Sequence, residues 1–270
     1  NLNILRTRDA EAERNDSLVR NGTVEPIPMF PYTFNEYVFT RTMGGHIGSF
    51  TSPDMQRLIA GRSIEWGTIP GFMGDYRPEN PNHNEAVLTY YARIGNARSA
   101  YANRFLAGGE WLPRPELERT YVSIPGGHLL DNDDEIRTTE VKGRGWRSPE
   151  GDLGIVLTNV SNRRQTRNIE FDLSTQPYEL PTDPLVYIVR NGDYRSVEGV
   201  IASVEIAPSD VVLIGAIENQ QGAMTALSQI EQAQTADEVD NSLVSDAKSA
   251  FDAHDFQTAR ERAKRAVTSV

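Results

Sequence analysis

The sequence predicts an α/β region, then an all-β region, then a helical tail, in a chain of 270 residues. Residues 1–117 alternate short apolar segments with helical patterns. Residues 118–217 read as successive short strands separated by turn residues, and residues 218–270 return to helical spacing. At this length the chain forms one large domain or two to three smaller ones, each able to bury a core.

In the first region "PIPMFPYTF" reads as a strand, and Pro53 to Arg62 is a short helical pattern. "SIEWGTIPGF", Ser63 to Phe72, reads as a strand running into a Pro/Gly loop. A longer helix is expected from Asn82, which can cap it with Glu85 three residues on. Val87, Tyr91, Ile94, Tyr101 and Phe105 recur at helical spacing, and Gly108-Gly109 ends the pattern.

The second region holds "EIRTTEV", "LGIVLTNV", "NIEFDLS", "LVYIVR", "SVEGVIASVEI" and "VVLIGAI", which predict an antiparallel β-sandwich. In "NIEFDLS" the residues Ile169, Phe171 and Leu173 alternate with Asn168, Glu170 and Asp172, so one face is wet. Turn signals fall at Glu150-Gly151, Ser161-Asn162, Pro181 to Pro184 and Asn191-Gly192. In the tail, Thr235 with Glu238 has the form of a capping box. Val244, Ala247 and Phe251 form one stripe and Phe256, Ala259, Ala263 and Ala266 a second, with "DAHD" between them as a turn. A helical hairpin follows, with a further helix over Ala223 to Ala233, read as a packing appendage rather than a peptide-binding array.

Composition excludes several functions. The net charge of -11 argues against a nucleic-acid partner, which would require clustered Lys and Arg to neutralise phosphates. Only Lys142, Lys248 and Lys264 are lysine among the 27 basic residues; high-salt solubility and GC-rich coding both produce that bias. No apolar run reaches the ~18 residues of a membrane span. Zero cysteines exclude disulfides and thiolate ligands. Asn15, Asn21 and Asn159 begin acceptor sequons, which matter only in a glycosylating compartment. The chain opens on Asn1 and charged sequence, as a processed or truncated product would, with any signal peptide upstream.

No phosphate-cradling or dinucleotide fingerprint is present, so no cofactor is expected. His46, His83, His128 and His254 are scattered without metal-ligand spacing, and "DNDDE", Asp131 to Glu135, lacks the glycine and distal glutamate of a calcium loop. No metal site is expected. What remains is a set of carboxylates and aromatics at predicted strand ends: Glu36 with Tyr32 and Asn35, Glu65 with Trp66, and Asp75 with Tyr76. Carboxylates beside Trp and Tyr suit a sugar site, where one carboxyl is acid or base, another is nucleophile or water activator, and aromatic faces stack on pyranose rings. Two plainer readings stand beside this: Trp66 as core packing and Glu36 as a helix cap.

"IPMFPYTFNEYVF", "SIEWGTIPGF" and "GEWLPRPELERTY", in that order, resemble the last strands and helices of a (β/α)8 glycoside-hydrolase-like barrel. The resemblance is to an uncharacterised family of α-galactosidase-like and endo-α-N-acetylgalactosaminidase-like architecture, and it covers roughly residues 25–217. "GWRSPEGDLGIVLTNVSN" and "APSDVVLI" are similar to the β-sandwich that follows such barrels. The resemblance implies the end of a barrel, a β-sandwich and a helical tail. It implies Glu36 and Glu65 as candidate catalytic carboxylates, with Tyr32, Asn35, Trp66, Asp75 and Tyr76 as substrate-binding residues. Where relatives have Asp in the acidic position of "FNEY", this chain has Glu36.

The function expected is that of the C-terminal part of a secreted or cell-surface glycoside hydrolase, with a carbohydrate substrate and little turnover alone. The competing expectation is a non-catalytic carbohydrate-binding or surface-layer interaction protein.

Overall fold

The computed structural model describes residues 5–7, 33, 40–42, 46–47, 52–70, 73–74, 84–125, 135–161 and 166–268. Strand β1 (Leu5–Thr7) pairs in parallel with β2 (Thr40–Thr42). Strand β3 (His46–Ile47) pairs in parallel with β4 (Met73–Gly74), and helix α1 (Pro53–Glu65) lies between them in the chain. Parallel pairing requires such a crossover, because a tight turn cannot return the chain in the same direction. Ser52 starts α1 by accepting the Met55 N–H at 3.1 Å, with Pro53 in the first turn and Asp54 beside the positive end of the dipole.

Two strand expectations are corrected here. Ser63, Ile64 and Glu65 are the last turn of α1 rather than a strand, and Trp66 caps that helix. Ile64 follows Ala60 by one helical turn and both are fully buried, while the Ser63 hydroxyl donates to the Ala60 carbonyl at 2.6 Å. The alternation in "SIEW" is too short to compete with those contacts. Thr33, inside the predicted strand over 26–34, is helical and exposed.

Helix α2 (Glu85–Ser99) is capped by Asn84, which accepts the Val87 N–H at 3.1 Å; the expected cap Asn82 lies outside the described residues. The apolar stripe continues past a break at Ala100 into α3 (Asn103–Leu106), and Gly108 stops it at a φ of +90°. Gly61 lets α1 approach closely: a Cβ there would stand 2.3 Å from the Val160 side chain and 3.0 Å from the Tyr90 hydroxyl.

Strands β5 (Glu110–Trp111), β6 (Tyr121–Pro125), β7 (Glu135–Thr139), β8 (Val141–Arg147), β9 (Leu153–Asn159), β10 (Arg167–Asp172), β11 (Pro184–Arg190), β12 (Asp193–Val197), β13 (Ile201–Ile206) and β14 (Val211–Glu218) follow. Six of them form one antiparallel sheet in the order β12-β11-β14-β9-β8-β5. The predicted single strand "SVEGVIASVEI" is divided at Gly199, whose φ of +74° turns the chain out of β12 and into β13. "KGRGWR" belongs to β8, where Gly143 makes room for Leu157 and Gly145 for the Tyr178 ring.

The runs "LGIVLTN" and "VVLIGAI" are buried throughout, because the sheet is covered on both faces. On one face, Leu153, Ile155, Val186, Ile188 and Val212 pack against Phe171, Ala202, Val204 and Ile206 of the two-stranded β10–β13 ribbon. On the other, Trp146, Val156, Tyr187 and Leu213 share a core with Ala60 and Ile64 of α1, Tyr90 and Ile94 of α2, and Phe105 of α3.

That second core also takes in the tail, helices α4 (Ala223–Thr235), α5 (Asn241–Asp252) and α6 (Phe256–Thr268). The cap of α5 is Asp240, which accepts the Ser242 N–H at 2.9 Å, rather than Thr235, which ends α4. Val244, Ala247, Phe251, Phe256, Ala259, Ala263 and Ala266 are all buried, as their spacing predicts. The Phe251 ring meets Tyr187 edge-on at 5.5 Å and Tyr194 at 6.0 Å, so the tail is docked on the sheet. No helix among the described residues is long and apolar enough to cross a membrane. Phe251→Ala should cost about 3–5 kcal/mol, read as a lower denaturant midpoint, because a fully buried ring is removed from that junction.

Candidate functional site

Of the carboxylates singled out from the sequence, Glu65 is the one the structure describes. It ends α1 with 1% of its surface exposed. Arg62, one turn earlier, donates to Glu65 Oε2 at 3.0 Å, and Arg114 approaches Oε1 at 2.9 Å. The Arg62 guanidinium also lies over the Trp66 ring at 5.3 Å from its centre. A buried carboxylate is tolerable only with such partners, and two guanidinium groups supply them.

Beside Glu65 opens a cavity of about 370 Å³, lined by Glu65, Arg114, Glu116, Arg119, Thr139 and Lys142 among others. Lys142 is buried and donates to Thr139 Oγ1 at 2.9 Å and to Thr138 Oγ1. The neighbouring Glu140 is wholly buried and accepts from Arg167 at 2.6 Å. The walls therefore present cations, carboxylates and a hydroxyl, groups that can hold a polar ligand by hydrogen bonds. Glu65 and Trp66 lie at the helix-to-strand side of the crossover unit, the end opposite to the loops that follow its strands. Tyr32, Asn35, Glu36, Asp75 and Tyr76 lie outside the described residues, as do His46, His83 and His128 as side chains. Among the described residues no group of three or more His, Cys, Asp or Glu could hold a metal ion.

A second cluster was not legible in the sequence. At the seam between α3, the β8–β9 turn and the tail, Asp152 is paired with Arg104 and with His254, whose Nε2 is 2.8 Å away. Arg104 also donates to the Asp252 carbonyl at 2.8 Å, and the Tyr194 hydroxyl donates to Asp252 Oδ2 at 2.6 Å. The partners are far apart in the chain, so no local spacing announces them. "DAHD" is indeed a turn, with His254 in the left-handed region at φ 60°, and that turn delivers the imidazole to Asp152. Burial pushes the Asp252 carboxyl up to about 6, against the hydrogen bond from Tyr194 and the charges of Arg104 and Lys248. Burial likewise raises Asp152, despite Arg104 and His254. A groove of about 530 Å³ runs along this seam, between the end of α2, the β11–β12 turn and α5.

No protein-family model and no curated protein matches the chain. Among solved structures, an Anoxybacillus α-amylase of a new glycosyl hydrolase subclass is 10% identical, with 80% of this chain and 48% of that one covered at a TM-score of 0.44. An α-amylase of Geobacillus thermoleovorans, complexed with acarbose, is 7% identical over 78% of this chain and 47% of its own, at a TM-score of 0.42. A GH27 β-L-arabinopyranosidase of Geobacillus stearothermophilus is 12% identical over 81% and 46%, at a TM-score of 0.36. This chain thus spans about half the length of each of these three structures, which are glycoside hydrolases.

Glu65→Gln removes the charge that Arg62 and Arg114 share. It should lower stability by about 3 kcal/mol in urea unfolding, since it leaves a buried guanidinium without its counter-ion. The pH dependence of the seam has the opposite sign to an ordinary salt bridge. The native state holds the Asp252 proton more tightly than the unfolded chain does, so its contribution is complete below about pH 4 and is lost as pH rises through about 6. The stability of Asp252→Asn relative to wild type should therefore rise, by on the order of 1–2 kcal/mol, between about pH 4.5 and 7.5.

Proposed function

We propose that this chain is the C-terminal part of a glycoside hydrolase acting on O-glycosidic bonds of oligo- or polysaccharides, with negligible turnover on its own. The observation that supports this reading is the run from a parallel strand–helix–strand unit, β3–α1–β4, through α2 into an antiparallel sheet that shares its core. That order is the one expected of a barrel end followed by an accessory β-sandwich, although two of the resembling motifs, read as strands from the sequence, are helical at Thr33 and at Ser63–Glu65. On this reading the location is extracellular or at the cell surface.

Within the proposal, the substrate side belongs to the loops that follow the parallel strands. Asp75 and Tyr76 come directly after β4, while Glu36, Tyr32 and Asn35 join that side through the resemblance alone, since the strand expected over 26–34 is helical at Thr33. Glu65 is reassigned from catalysis to the counter-ion of Arg62 and Arg114, because both of its oxygens are engaged. Trp66 goes with it as the buried lid of the same helix end. Hydrolysis requires two carboxyl groups ~5–9.5 Å apart, and this chain would supply one of them.

The engagement of Glu65 also favours a second reading, in which the chain is a non-catalytic carbohydrate-binding or surface-layer interaction protein. The two readings separate in one experiment. In a longer protein containing this chain, Glu36→Gln should reduce kcat by about 10²–10⁴-fold on chromogenic glycosides, while the isolated chain hydrolyses none of them. Unchanged kinetics would remove Glu36 from the chemistry, and robust hydrolysis by the isolated chain would sink the claim that it is incomplete. Oligosaccharide binding without hydrolysis by either protein would favour the second reading.

A further inference from the structure

Strand β12 ends the six-stranded sheet on one side, and its hydrogen-bonding ladder uses only the groups that face β11. Its outward N–H and C=O groups are the sort of edge on which another strand can add. At Tyr194 and Ser196 those groups are taken by side chains of α4. The Gln234 amide accepts the Tyr194 N–H at 2.8 Å and donates to the Tyr194 carbonyl at 2.8 Å, the double contact that a paired strand residue would make. The Glu231 carboxylate accepts from the Ser196 N–H, and from its hydroxyl at 3.0 and 3.2 Å. Two helical side chains one turn apart thus occupy the place of a seventh strand.

Asp193 and Arg195 flank Tyr194 on the other face of β12 and are exposed. Among the described residues the Asp193 carboxylate has its ion-pair contact with Lys248, at 3.7 Å, and Arg195 donates to the Ser203 carbonyl at 3.0 Å. If two β12 strands pair antiparallel about a two-fold axis at Tyr194, each Asp193 stands opposite the other copy's Arg195, an attractive cross-strand pair repeated by symmetry. That charge complementarity identifies the partner. We propose that the β12 edge is a self-association surface for a second copy of this chain, masked by the Gln234 and Glu231 side chains of α4. The tail is then the element that sets the oligomeric state.

The test uses the full chain carrying Glu231→Ala and Gln234→Ala, followed by sedimentation velocity and amide hydrogen exchange. Wild type should sediment as a monomer with the Tyr194 and Ser196 amides protected. The double variant should exchange these two amides about tenfold faster or more and form dimers at tens of micromolar. Adding Ser196→Pro should restore the monomer, because that N–H faces away from β11 and its loss leaves the sheet's own ladder intact. If circular dichroism shows the double variant unfolded, Glu231→Met with Gln234→Met serves instead, since these side chains keep the length and helix propensity of the originals but cannot accept the Tyr194 and Ser196 amides, and the same shifts are expected. Amides that stay protected, a variant that stays monomeric with both amides open, or association that Ser196→Pro does not reverse would each overturn the proposal.

Discussion

Strands β9 and β14 are apolar on both sides, and a sheet built around them cannot leave either face in water. Each face has to be covered, and the two covers have different origins. The β10–β13 ribbon, which keeps one wet face of its own, closes one side. Helices from both ends of the chain close the other, so that α1, α2 and α3 before the sheet and α4 to α6 after it pack into one continuous core. Much of the remaining architecture follows from this demand, including the close approach of Phe105 to Gly154 and of Tyr187 to Gly215. Each of these two rings lies where a Cβ at the glycine would collide with it.

Covering the second face from both ends creates seams, and the seams are where charge is buried. Arg104 joins α3 to the β8–β9 turn through Asp152 and to the tail through the Asp252 carbonyl. His254 closes the same corner from the α5–α6 turn. Tyr187 Oη and Asp252 Oδ1 are buried there without a hydrogen-bond partner among the described residues. This corner therefore combines well-packed rings with incompletely satisfied polar atoms, so the tail meets the sheet through buried polar contacts as well as through apolar burial.

The end of α1 follows the same logic with a different outcome. Glu65 is enclosed by its own helix and by the segment that leaves β5, and its two arginine partners make the enclosure tolerable. A carboxylate placed there holds elements together. One placed beyond the C-terminal ends of parallel strands would instead meet whatever enters between the loops. The difference between the two is one of position relative to the crossover unit.

The sequence by itself determined the elements whose signal is local and repeated. The stripes Val244–Ala247–Phe251 and Phe256–Ala259–Ala263–Ala266 specified two helices and their buried faces, because a period of 3.6 residues is set within each helix. The apolar runs of β9, β11 and β14 announced central strands for a similar reason. Tertiary structure alone decided where "SIEW" belongs, since four residues fit either period and only the contacts of Ala60, Ile64 and Arg62 favour the helix. It alone brought Asp152 to His254, and Gln234 to Tyr194, since these partners are distant in the chain and no spacing rule connects them. Periodicity reports which face of an element is apolar; what that face meets depends on the packing of the whole chain.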